Sequence, residues 1–240
     1  MISDVAIWHQ LECGSYEADV ECWQALAAEF SGPILDVGAG NGRVALMLAA
    51  LGHKVTALDI DEALLTALTA RAEGLTIDTV CADARNFQTG RQFSLIIVPM
   101  LTVQLFGGAE ARSAFFEAAA PQLSPGGCLA LAIADLLEDE DGAAGGESLE
   151  ADSCTIGSVG YSTRAVALRQ RDGQIGIERR REITAPGGSL TVQAATDWID
   201  IVTPEQLEAE AAAAGFTVAP RRQIPATADY IGSAVICLNA

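Results

Sequence analysis

Ile34-Leu35-Asp36-Val37-Gly38-Ala39-Gly40-Asn41-Gly42-Arg43 decides how the rest of the chain is read. Its first four residues make a short buried strand, apolar except for Asp36. Glycines at 38, 40 and 42 then let the backbone bend sharply and come close to a ligand. The chain turns directly into a helix, whose free N–H groups favour an anionic group there. Asp59 stands nineteen residues after Gly40, at the end of the next strand. A carboxylate in that place can accept hydrogen bonds from both hydroxyls of a ribose. Together these features imply a nucleoside-containing ligand. A dinucleotide fingerprint, G-x-G-x-x-G, would put its third glycine at 43, where this chain has Arg43. Asp36 would repel a pyrophosphate and suits an ammonium group. The pattern D-x-G-x-G-x-G therefore fits a ligand that carries an amino acid.

On either side of this turn, strands and helices alternate. Asp19–Phe30 reads as a helix with apolar positions at Val20, Trp23, Leu26, Ala27 and Phe30. Strands are predicted at 34–37, 54–58, 76–81, 93–98 and 128–134, and helices at 43–51, 61–71 and 108–122. The run FSLIIV at 93–98 is apolar enough to be buried on both faces. Such alternation means βαβ units and a parallel sheet.

After Leu137 the pattern changes. Residues 138–152 are acidic and glycine-rich and read as a loop. Three alternating runs follow, at 161–170, 174–184 and 190–201, separated by the turns Arg171-Asp172-Gly173 and Pro186-Gly187-Gly188. They predict a half-exposed antiparallel sheet. Thr203-Pro204-Glu205-Gln206 opens a helix with a capping box that runs to Ala214, and strands near 216–221 and 233–238 complete the main sheet. The expected fold is α/β: a doubly wound, mostly parallel seven-stranded sheet with an antiparallel sheet inserted after the fifth strand. The expected division is 1–137 with 202–240 as the cofactor-binding core, and 138–201 as a lid or dimerisation element.

The 240 residues are half apolar, enough for a large core, and carry 14 basic against 32 acidic side chains, a net charge of −18. Such a surface repels phosphate backbones and anionic lipid, so neither nucleic acid nor membrane is an expected partner. Solubility is the plain reading of the charge; a cationic ligand is compatible with it. No two of Cys13, Cys22, Cys81, Cys128, Cys154 and Cys237 have zinc or thioredoxin-type spacing, and no metal is expected. Free thiols suggest a reducing compartment. With no signal-like N-terminus and no apolar run long enough to span a bilayer, a cytoplasmic location is expected.

At these residues the chain resembles the class I S-adenosylmethionine-dependent methyltransferases. ILDVGAGNGR at 34–43 is similar to that family's first motif, and Asp59-Ile60 to its ribose-binding acid and the apolar residue beside the adenine. Cys81-Ala82-Asp83-Ala84 is similar to its adenine-binding motif, Val98-Pro99-Met100 marks where its transfer site opens, and Leu123–Gly127 matches its turn before strand five. The inserted sheet, and Tyr16 ahead of the first motif, resemble the sugar N-methyltransferases of macrolide pathways and the glycine N-methyltransferase group. The resemblance implies S-adenosyl-L-methionine as cofactor and Tyr16, Asp36, Gly38, Ala39, Gly40, Arg43, Asp59, Ile60, Asp83, Ala84, Val98 and Pro99 as its contacts. Arg43 would pair with the methionine carboxylate. Trp8, Met100, Thr102 and Gln104 would line the acceptor pocket.

The reaction so implied is methyl transfer to nitrogen or oxygen of a small molecule by in-line displacement, driven mainly by alignment and exclusion of water. An amine needs only to be neutral and aimed; a hydroxyl usually needs a base. His9 and Asp135 are the candidates for one, with His9 set ahead of the first helix, and no catalytic residue is fixed by the sequence. A homodimer is compatible with the inserted sheet. Two alternatives stand beside this reading: a non-catalytic cofactor-binding module, and a nicotinamide oxidoreductase, which Asp36 and Arg43 disfavour. Asp59→Ala is expected to weaken S-adenosylhomocysteine binding strongly, measured by thermal shift against NAD as a control; unchanged affinity would remove the assignment.

Overall fold

A computed structural model describes residues 3–134, 151–227 and 230–240. Seven strands form the main sheet: β1 (Ile34–Val37), β2 (Val55–Asp59), β3 (Ile77–Cys81), β4 (Phe93–Val98), β5 (Leu123–Ala134), β10 (Thr217–Ile224) and β11 (Ser233–Asn239). Their order is β10-β11-β5-β4-β1-β2-β3. β11 runs antiparallel to both its neighbours, and β1 to β5 pair in parallel. This is the doubly wound sheet that the alternating pattern implies. β5 begins earlier than its apolar run, because Leu123 pairs with Phe93 before the register shifts to Leu95↔Cys128.

β1 and β4 are apolar on both sides because helices cover both faces. On one face Trp23, Leu26, Val44, Leu48, Leu65 and Leu68 pack on Ile34, Leu95 and Ile97. On the other, Phe115, Phe116, Leu207 and Phe216 pack on Leu35, Ile96 and Val98. The covering helices are α2 (Val20–Glu29), α3 (Arg43–Ala50), α4 (Glu62–Arg71), α5 (Ala109–Ala119) and α6 (Pro204–Ala213). α6 starts with the predicted capping box: Thr203 and Gln206 satisfy each other's backbone N–H.

A second, four-stranded antiparallel sheet lies in the order β6-β7-β8-β9. β7 (Val159–Arg171), β8 (Gln174–Thr184) and β9 (Leu190–Asp200) are the three predicted runs. β6 (Asp152–Ile156) is an addition whose first residue had been assigned to the acidic loop. A further addition is α1 (Asp4–Cys13), capped by the Ser3 hydroxyl on the Ala6 N–H. His9 therefore lies inside the first helix, not ahead of it. Among the described residues no helix is long and apolar enough to cross a membrane. Asp135 and most of the acidic glycine-rich segment lie outside the described residues.

Two polar clusters join the second sheet to the first. At the base of β9, Asp200 is buried and accepts from Arg112, the Gly108 N–H and Gln174 at 2.6–2.7 Å, while Arg112 forks onto Glu210. Gln104 is wholly buried beside it. Its amide donates to the carbonyls of Ala134 and Asp200 and accepts from the Ala134 N–H. This corrects the expectation that Gln104 lines a pocket: all its hydrogen-bonding capacity in the core goes to pinning β9 to the end of β5.

Gln104→Leu would leave three buried backbone groups without partners. A loss of about 2 kcal/mol or more is expected in urea unfolding, since each orphaned group costs about 1–3 kcal/mol. Limited proteolysis should then cut first between the two sheets.

Candidate active site

The turn after β1 is held from β2. Gly38, Gly40 and Gly42 have φ of 69°, 56° and 92°, the left-handed region where a side chain is strained. The Gly38 and Ala39 N–H groups donate to the Leu58 carbonyl at 2.8 and 3.0 Å. The Gly40 N–H donates to Asp59 Oδ2 at 2.8 Å, and the Asp61 N–H to Oδ1 at 2.9 Å. Asp59 is thus fixed at the tip of β2 with one lone pair left on each oxygen, as two vicinal hydroxyls need.

Asp36 is buried under the turn, and its Oδ1 has no partner. Burial pushes its carboxyl up to about 8; Asp59 and Asp19 add to this, while Arg43 and the Ala45 N–H oppose it. Asn41 Oδ1 is likewise buried and unpartnered. Two open acceptors beside a glycine turn fit an ammonium group. Buried orphan acceptors cost stability when nothing fills them.

Close approach at the turn is literal. A Cβ on Gly38 would lie 2.3 Å from Thr102 Cγ2, and one on Gly40 would lie 2.2 Å from His9 Nε2. Thr102 reaches Gly38 because Met100, a non-glycine residue at φ 56°, folds the chain back after β4. The Thr102 hydroxyl then donates to the Pro99 carbonyl at 2.9 Å. Strain of this kind persists only where the surroundings impose it. Val98 and Pro99 are buried beneath, and Met100 and Thr102 are half-buried at the rim. On the far side of Asp59, Ile60 is 68% exposed and Ala84 is buried. Asp83 is held by the Arg85 guanidinium, which keeps its carboxyl below the usual range.

α1 roofs the turn and latches it to the second sheet. Gln10 Oε1 accepts from Asn41 at 3.0 Å and from Arg71 at 2.9 Å, and Arg71 also reaches the Asn41 carbonyl. Two residues further on, Glu12 accepts from Thr163 at 2.9 Å and from both nitrogens of an Arg181 fork at 2.8 and 2.6 Å. Trp8 is buried, edge-on to Tyr161 with centroids 5.5 Å apart and with the Arg181 guanidinium over its ring. Trp8 therefore belongs to the joint between helix and sheet. Arg179 and Arg181 share the face of β8 that meets α1, while Arg180 pairs with Glu182 on the other.

Arg43 is placed differently from expectation. Its guanidinium forks onto both oxygens of fully buried Asp19 at 2.6 and 2.7 Å and donates to the Tyr16 carbonyl at 2.8 Å. Asp19 also accepts from the Trp23 indole at 2.7 Å. The cation at the turn is thus committed to holding the chain before α2. Tyr16 is buried, its ring 4.7 Å from that of Tyr230. Gln10, Glu12 and Arg181 had no motif to announce them, and Asn41 stood inside the glycine motif without a role assigned to it; the cue for the helix was the tryptophan beside His9.

A strand, a glycine turn and an acid at the tip of the next strand thus meet at the carboxyl ends of a doubly wound sheet. Residues 34–127 match the family model described as a methyltransferase domain. No curated protein sequence matches the chain. Among solved structures, an S-adenosylmethionine-dependent methyltransferase from Clostridium acetobutylicum superposes with a TM-score of 0.73 at 15% identity, covering 97% of this chain and 96% of that one. The amino pentose methyltransferase CalS10 of Micromonospora echinaspora, solved with the cofactor bound, gives 0.68 at 19% identity and coverages of 95% and 93%. The sugar N-methyltransferase KedS8 of Streptoalloteichus gives 0.70 at 14% identity and coverages of 100% and 94%. At such identities the likeness is one of fold. The chain thus carries a methyltransferase domain over residues 34–127 and shares the fold of S-adenosylmethionine-dependent methyltransferases.

The raised Asp36 has two consequences. In the unfolded chain its carboxyl ionises near pH 4, whereas folded it holds its proton to about pH 8. The folded state thus binds the extra proton, and stability falls as pH rises through that window. Asp36→Asn is expected to raise the melting temperature of the ligand-free protein at pH 7.5 and to weaken S-adenosylhomocysteine binding at least tenfold. Calorimetry checks both.

Proposed function

We propose that the chain transfers the methyl group of S-adenosylmethionine to an amine nitrogen of a small molecule of the amino-sugar class. The observation that carries this reading is the roof. One short helix is fastened at its middle to the glycine turn and near its end to a four-stranded sheet, so α1 covers the turn at the end of β1. Enclosure suits a displacement in which charge disperses, and it limits the acceptor to something small.

In this reading Asp59 holds the ribose hydroxyls, and Ile60, Asp83 and Ala84 flank the adenine. Asp36 takes the ammonium group, with the backbone of Gly38, Ala39 and Gly40 beneath it. Tyr16, Val98 and Pro99 wall the methionine arm. Met100 and Thr102 face the acceptor side, with Trp8 stiffening the wall. Residues 1–137 and 202–240 act as the core, and 138–201 as the lid. The bound cofactor supplies an electrophilic methyl on a positively charged sulfur. The chain's part is to hold the acceptor nitrogen in line and keep water out. The nitrogen lone pair forms the new N–C bond as the C–S bond breaks, and the surplus proton leaves to water. Nitrogen is favoured over oxygen on two grounds. A net charge of −18 draws in a cationic amine. The amino pentose and sugar N-methyltransferases match it along nearly their whole lengths, second sheet included.

The test is turnover of the full chain with S-adenosylmethionine and paired acceptors, amino sugars against their hydroxyl counterparts. Release of S-adenosylhomocysteine and a single added methyl on nitrogen are expected. Methylation of the hydroxyl series alone would replace this reading with O-transfer. Cofactor binding without turnover on any acceptor would favour the non-catalytic module.

A further inference from the structure

Among the described residues, the buried side-chain polar atoms without partners are His9 Nδ1, Asp36 Oδ1, Asn41 Oδ1 and Arg179 Nε. Three of these border one turn. Two of the three are acceptors and match an ammonium group. The third is an imidazole nitrogen, and a ring nitrogen can donate. An α-amino acid presents an ammonium beside a carboxylate. The cation expected for that carboxylate, Arg43, is spent on Asp19. The turn therefore holds complements for one half of the zwitterion and, in His9, one unassigned donor for the other.

His9 is well placed to be that donor. Its ring comes so close to Gly40 that any Cβ there would collide with Nε2 and Cε1, at 2.2 and 2.3 Å. Its helix is anchored just beyond it by Gln10 to Asn41 and by Glu12 to Arg181. Charged groups face it from three elements: Glu12 from α1, Arg43 from α3 and Asp59 from the end of β2, with the Asn41 side chain in the turn itself. Burial and Arg43 oppose a charge on the ring, while Asp59, a hydrogen bond with the Asn41 side chain and Glu12 favour one; burial dominates and favours the neutral imidazole, whose Nδ1 has no partner within hydrogen-bond distance.

Resting on the reading of this turn as the cofactor's seat, the geometry points to His9 as the residue that binds the carboxylate of the cofactor's methionine portion, in place of Arg43. Its role is binding and positioning, not proton transfer from the acceptor. The consequence is selectivity for the intact amino-acid tail over adenosyl ligands that lack the carboxylate.

The experiment measures dissociation constants of the full chain by calorimetry for three ligands. These are S-adenosylmethionine, its decarboxylated form, which lacks only the carboxylate, and 5′-methylthioadenosine, which lacks the whole tail. His9→Phe keeps a ring over Gly40 but has no N–H. It is expected to weaken S-adenosylmethionine about tenfold to a hundredfold, the range of a lost charge-assisted hydrogen bond. The other two ligands should stay within about twofold, which also shows the variant is folded. His9→Asn, whose amide nitrogen lies near the ring Nδ1 position, should recover much of the loss. Equal weakening of all three ligands would make His9 a mere support for the turn and overturn the assignment. So would undiminished S-adenosylmethionine binding in His9→Phe. If the wild-type chain bound none of the three, the cofactor reading itself would fall, a result distinct from either. Amine turnover does not enter the measurement, so a wrong acceptor class leaves it unaffected.

Discussion

The hydrogen bond from the Gly40 N–H to Asp59 Oδ2 is the constraint on which the rest depends. It ties the turn after β1 to the tip of β2, so the two strand ends open as one unit. It also fixes the acid with one oxygen toward the turn and the other toward the Asp61 N–H at the start of α4. A carboxylate shared between two backbone donors cannot swing, and its remaining lone pairs stay open beside the turn. Preorganisation of this kind removes the ordering cost from ligand binding. The absence of a side chain at Gly40 serves a second end, since it leaves a seat for the His9 ring from above.

Charge is concentrated at this place to an unusual degree. Asp19, Asp36 and Asp59 are all buried near a single guanidinium, Arg43. Arg43 neutralises Asp19 outright in a two-pronged pair, and this leaves Asp36 to keep a proton or find a cation. The geometry thus separates a structural ion pair from a receptive acid only a few residues away. Breaking the Arg43–Asp19 pair from one side would strand a buried charge, at a cost of several kcal/mol. Asp36 escapes that cost because a carboxyl can neutralise itself.

How much of this was legible depended on whether the information was local. The βαβ core was legible because its strands are short apolar runs cut by glycine, and its helices repeat at 3.6 residues; α6 even carried its capping box in four consecutive letters. α1 was missed. Its buried residues, Ala6, Ile7 and Trp8, are consecutive and do not form a stripe, so its helicity owes more to what it covers than to its own pattern. β6 was missed because DSCTI is polar and sits on a sheet edge. Among candidate site residues, the glycines, Asp36 and Asp59 were legible as parts of a tight turn and a strand tip, because these restrict what can stand there. The pairing of Arg43 with Asp19, and of Glu12 with Arg181 from 169 residues away, is a tertiary fact with no local mark. Gln104 was misread for the same reason: a polar residue after β4 looks like a pocket wall until its three backbone partners, thirty and ninety-six residues distant, are known.

α1 touches the cofactor turn through His9 and Gln10 and the second sheet through Trp8 and Glu12, all within two helical turns. Floor and ceiling of the cleft therefore share one beam. A change in the sheet that accommodates a new guest tugs at Glu12 or Trp8, and the tug arrives at Gly40. Under the proposed function, lineages descending from such a chain would not retune what they accept without also disturbing how tightly they hold the donor. Drift in one trait drags the other with it, and compensating changes should accumulate in this single N-terminal helix rather than across the whole surface.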